Sequence, residues 1–172
     1  MAGDWGPISG VLIVSTVSLT PVGRSRPPVR APAGDWGPIS GVLIVSTVSL
    51  RTGLSAVIDL TVSDADTAVA MHTGDVPVLS TPRVIALLEE ATIRALAGHL
   101  GDGLSTVSMR VQMEHISPTP IGGVVRAEAN LEKVEGRRLV FHVSARDERS
   151  LVAAGKVTRV VVDVDRFMEK TR

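Results

Sequence analysis

The sequence predicts an α+β fold, with one long helix packed on one face of an antiparallel sheet. Three observations carry this. Thr81-Pro82 opens the one long stretch with helical spacing of apolar residues; the segments around it alternate or are Val-rich as strands are; and short, hairpin-like turns join the last strands.

Ser55 to Val62 alternates as a first strand. Ser63 to Ser80 is rich in Asp, Thr, Gly and Pro and reads as a long loop with a helical turn at Asp66–Met71. Loops of that length within a compact domain usually cover or bind something. Thr81 as N-cap and Pro82 at the first helical position then start the helix. It runs through Val84, Ile85, Leu88, Ala91, Leu96 and Leu100 to a stop at Gly101. Thr106 to His115 alternates strictly: Val107, Met109, Val111, Met113 and His115 share one face, and Arg110, Gln112 and Glu114 the other. The 117–123 segment is a turn. Val124 to Val134 and Arg138 to Ala145 form a hairpin at Glu135-Gly136, Asp147 to Ser150 turns again, and Leu151 to Val164 is a long Val-rich strand.

The chain has 172 residues, enough for one domain with or without a tail. Its net charge is zero, which argues against nucleic acid as the main partner, since phosphate binding calls for a basic excess. A hydrophobic fraction of 44% supports a real core, whereas 2% aromatics leave no surface for stacking bases. The absence of cysteine excludes disulfides, thiolate nucleophiles and zinc–thiolate sites, and fits a cytoplasmic protein. Ala2–Leu19 recurs without a change as Ala33–Leu50, and a Pro- and Arg-rich linker, Thr20–Pro32, separates the copies. Perfect identity marks a recent duplication rather than a structural repeat, so residues 1–52 read as a partly disordered extension and 53–172 as the domain. The early apolar run has its basic residues after it rather than before it, which speaks against a signal peptide. The apolar runs are also shorter than the roughly 20 residues that span a bilayer, so no membrane partner is expected.

Two titratable residues break the apolar pattern. Glu89 stands four residues after Ile85 and four before Ile93, on or beside the buried helix stripe. Unlike Glu90, which has Arg94 one turn on, it has no local cation. A carboxylate among apolar groups is costly unless paired or functional; the alternative is one at the stripe's edge reaching water. His115 ends the apolar face of its strand, where a hydrogen-bonded core histidine is the competing reading. His72, His99 and His142 have ordinary loop, helix-end and strand placements, and no spacing of His, Asp and Glu resembles a metal site. Thr81 is fully explained as a cap, although helix N-termini also present N–H groups to oxyanions.

The stretches DVPVLSTPRVIALLEEA, TVSMRVQMEHISPTPIGG, KVEGRRLVFHVSARD and VVVDVDRF resemble the hot-dog fold thioesterases related to fluoroacetyl-CoA thioesterase, from about Gly53 to Arg172. The resemblance implies a hot-dog fold, a central helix wrapped by an antiparallel sheet, and hydrolysis of an acyl-CoA thioester. It implies Thr81, Glu89 and His115 as catalytic residues, with Arg159 close to them. Val76 stands where the fluoroacetyl-specific enzyme has a gating phenylalanine, and Ser108 where the family commonly has glycine. Both therefore belong to the substrate-binding set, and a preference for fluorinated acyl groups is not carried over. Also implied are a homodimer with sites at the interface and no metal or bound cofactor, the CoA being part of the substrate. A non-catalytic acyl-CoA-binding or sensing domain is the alternative.

Overall fold

The computed structural model describes residues 50–172. The duplicated segment and the linker therefore lie outside the described residues, apart from the final Leu50, which packs on the core. Five strands, β1 (Ser55–Thr61), β2 (Leu104–His115), β3 (Val124–Glu135), β4 (Arg138–Arg146) and β5 (Leu151–Asp163), form one antiparallel sheet in the order β1-β3-β4-β5-β2. The helix α1 (Thr81–Ala95) lies against it. This is the expected α+β architecture with one change of topology. β2 and β3 are not a hairpin: the chain crosses from one sheet edge toward the other through the 117–123 segment. That segment is held by the end of the long loop, through a Val78↔Pro120 bridge and a Leu79 N–H to Thr119 carbonyl bond of 2.9 Å.

Alternation places Val125, Ala127, Ala129 and Leu131 of β3 and Leu139, Phe141, Val143 and Ala145 of β4 inward, each fully buried. Small alanines on β3 let α1 come close, and Phe141 fills the middle. Buried side chains of this size contribute about 1.5–3 kcal/mol each. The buried stripe of α1 is Val84, Leu87, Leu88, Ala91, Thr92 and Ala95, rotated slightly from the expected 85/88/92/96/100 line. Ile93 is 53% exposed as a result. The helix also stops sooner than Gly101: Leu96 is its C-cap, and Gly98, at φ +75°, takes the left-handed position that glycine favours.

Two features of β2 were not visible in its alternation. The pairing of β2 with β5 shifts register between Ser108 and Arg110, a bulge at Met109. Before it, Thr106 and Ser108 face the helix; after it, Val111, Met113 and His115 do. The second is Gly155 on β5: a Cβ there would run into the Gln112 carbonyl oxygen and lie 2.6 Å from Met113 Cα. A short C-terminal helix, α2 (Val164–Glu169), follows β5 and is capped by Asp163, which accepts from the Arg166 N–H at 3.0 Å. Among the described residues, no helix is long and apolar enough to cross a membrane.

Candidate active site

The N-terminus of α1 is built differently from the sequence expectation, and the difference matters for chemistry. Ser80, not Thr81, is the N-cap: its hydroxyl accepts from the Arg83 N–H at 3.3 Å. Thr81 is the first helical residue, so its hydroxyl is free of capping. It lies 3.0 Å from Nδ1 of His115. In the tautomer that carries its hydrogen on Nε2, the threonine donates to Nδ1.

His115 closes β2 against the helix start. Burial holds its imidazole below the usual 6.5, since the charged form loses more hydration, with the Ser117 backbone pulling the other way. Its Nε2 is buried and has no hydrogen-bond partner among the described residues.

The loop before α1 is tied down at the same point. Its short 3-10 turn, Asp64–Asp66, sits just before the expected 66–71 turn, and the chain continues through tight turns to Thr73. Asp66 reaches Arg83 Nε at 2.7 Å, accepts from the Ser63 N–H at 2.8 Å, and offers its carbonyl to the Ser80 N–H at 2.9 Å. Burial pushes the Asp66 carboxyl up, yet Ser63 and Arg83 together hold it below the usual carboxylate range. Val76, farther along this loop, is 60% exposed.

Glu89 is half-buried, and its carboxylate makes no hydrogen bond or ion pair among the described residues. Eight helical residues separate it from Thr81, a rise of about 12 Å along the axis. The chain therefore brings Thr81 and His115 together and leaves Glu89 apart from them.

Arg159 of β5 lies near Glu89. It is 4% exposed, and burial lowers its pKa while the Glu89 charge works the other way. Its Nε donates to the Thr106 hydroxyl (2.8 Å), Nη2 to the Thr106 carbonyl (2.9 Å), and Nη1 to the hydroxyls of Ser108 (2.8 Å) and Thr92 (3.3 Å). Sequence reasoning found Arg159 and Ser108 but missed Thr92 and Thr106. A threonine in the buried stripe of α1 was the available signal, because a buried hydroxyl needs a partner. A cavity of about 250 Å³ opens one turn beyond Glu89, between Ile93, Leu96 and Leu100 of the helix end and Thr106 of β2. No cluster of three or more His, Asp or Glu able to hold a metal ion occurs among the described residues.

A family model described as fluoroacetyl-CoA-specific thioesterase matches residues 62–165. The fluoroacetyl-CoA thioesterase of Streptantibioticus cattleyicolor is 35% identical over 95 residues, spanning 55% of this chain and 68% of that protein. A solved structure of a fluoroacetyl-CoA thioesterase superposes with a TM-score of 0.68 at 29% identity, covering 72% of this chain and 96% of that one. A thioesterase superfamily member from Thermus thermophilus gives 0.66 at 26% identity, covering 71% and 90%. The threonine–histidine pair thus sits in a hot-dog thioesterase framework, and the chain, an acyl-CoA thioester hydrolase, belongs to the fluoroacetyl-CoA-specific thioesterase family.

Proposed function

We propose that acyl-CoA hydrolysis runs on Thr81, His115 and Glu89 in a homodimer, each site taking Thr81 and His115 from one subunit and Glu89 from the other. The observation that carries this reading is the 3.0 Å Thr81–His115 contact combined with a Glu89 that is remote from it along the helix. Support comes from the Glu89 carboxylate, which is half-buried and has no donor among the described residues. β2 is a sheet edge with one side unpaired, and Met109 on it and Ile93 on the helix are each just over half exposed.

The thioester carbonyl lies at the N-terminus of α1, where the positive end of the helix dipole favours the developing oxyanion. His115 Nδ1 takes the proton of the attacking hydroxyl, which belongs either to Thr81 or to a water that Thr81 orients. Glu89 of the partner subunit brings its negative charge towards the imidazolium and stabilises it. Collapse of the tetrahedral species breaks the carbon–sulfur bond, and the proton passes to the CoA sulfur; where Thr81 attacks, a water activated by His115 then hydrolyses the acyl ester, releasing the acid and restoring the Thr81 hydroxyl. The coenzyme belongs to the substrate, so the reaction as drawn calls on no metal or separate cofactor. The lack of cysteine supports a cytoplasmic setting.

The test is thiol release from acyl-CoA esters of increasing chain length, with sedimentation of the same sample. The expected result is saturable hydrolysis by a species of twice the 18.1 kDa chain mass. A fully active monomer would overturn the composite site.

A further inference from the structure

Arg159 presents an electrostatic problem that the proposed reaction does not absorb. A guanidinium taken out of water is costly unless its donors are met and its charge is balanced. Among the described residues no carboxylate lies within ion-pair distance of Arg159; the oxygens that hold it are neutral. Two of the three hydroxyls converge on one nitrogen. Nη1 donates across the helix–sheet gap to Thr92 of α1 and Ser108 of β2. Thr92 is itself fully buried and donates its hydroxyl hydrogen to the Glu89 carbonyl at 2.6 Å. A continuous chain therefore runs from the Glu89 backbone through Thr92 and Arg159 to Ser108.

We propose that Thr92 and Ser108 are positioning residues whose hydroxyls clamp the Arg159 guanidinium between helix and strand, fixing its charge beside Glu89. Ser108 acts here through Arg159 rather than by reaching into the pocket. The assignment rests on the reading of Glu89 as a working carboxylate. The clamp sets where the positive charge stands, so Glu89 faces the imidazolium it stabilises with that charge at a constant distance. Valine replaces Thr92 with nearly the same shape and no acceptor, and serine restores the acceptor.

The experiment combines kinetics with a readout that does not depend on turnover. In Thr92→Val and Ser108→Ala, kcat is expected to fall about 10- to 100-fold, the scale of small misplacements in a site, with KM nearly unchanged. Thr92→Ser should recover most of the loss. In a Glu89→Gln background, Thr92→Val should cost little more, because the two act as one unit. Independently, the Arg159 Nε and Nη protons should give slowly exchanging NMR signals in the native chain that broaden in Thr92→Val. Unchanged arginine signals overturn the clamp even if the enzyme hydrolyses nothing. A broadened signal with unaltered kcat, or an equal loss in the Glu89→Gln background, overturns its link to Glu89.

Discussion

The Thr81 hydroxyl and His115 Nδ1 meet at 3.0 Å across 34 residues of sequence, because the helix cap is made by the residue before Thr81. Capping and chemistry are thereby divided between neighbours, and mutation should separate them. Ser80→Ala should cost about 1 kcal/mol of stability. Thr81→Ala should leave melting nearly unchanged while kcat/KM drops about 100-fold, and Thr81→Ser should keep most activity. Melting curves and thiol-release rates on the same preparations decide it; a Thr81→Ala variant that loses stability and keeps turnover contradicts the assignment.

The pH dependence follows from the direction of the His115 shift. Its folded pKa lies below the ordinary 6.5, so at pH 6.5 the folded protein holds the neutral, proton-accepting form while half of unfolded histidine is charged. The acid limb of kcat/KM should therefore inflect below pH 6.5, burial outweighing the pull of the Glu89 charge. The associated stability is fully present above 6.5 and declines as pH falls through the folded pKa. His115→Gln should flatten that part of the stability profile. An inflection above 6.5 that vanishes in His115→Gln would be the wrong sign.

Glu89 offers a test by complementation. Glu89→Gln and Thr81→Ala homodimers should each be nearly inactive, at unchanged melting temperature. Mixed and allowed to exchange subunits, half the dimers become heterodimers with one intact site, so activity should return to about a quarter of native. No recovery, in a mixture shown by mass to contain heterodimers, places Glu89 and Thr81 in the same site of one subunit.

Gly155 governs the approach of β2 to β5. A methyl group at this position meets backbone atoms that cannot swing aside, so Gly155→Ala should destabilise by about 1–3 kcal/mol. It should also lower turnover per folded molecule, because Met113, paired with Gly155, is two residues from His115. Denaturant midpoints and active-site titration measure the two effects.

The helix and the five strands were legible because each rests on local pattern, a cap–proline start and period-two alternation; pattern alone gave Thr81 as a cap and left His115 open, and only the family resemblance linked the two. What escaped the sequence is non-local. The β2 edge position depends on a loop 40 residues upstream holding the 117–123 crossing, through Val78 and Leu79. The Thr92 hydroxyl has meaning only once Arg159, 67 residues away, is folded onto it. The misjudged cap is of another kind: Ser80-Thr81-Pro82 offers two adjacent cap-forming residues, and only the helix register chooses between them.

The bulge at Met109 sets the phase of the whole strand. Deleting Met109 would bring Ser108 and Val111 two positions apart, still on one face, straightening β2 while Arg159's anchors and His115 keep their common side. A one-residue change anywhere between Val111 and His115 has no such escape: it turns the imidazole outward and parts it from Thr81. Tolerance to length variation along β2 is thus confined to one residue, and chains that differ there in length by one can share the same chemistry.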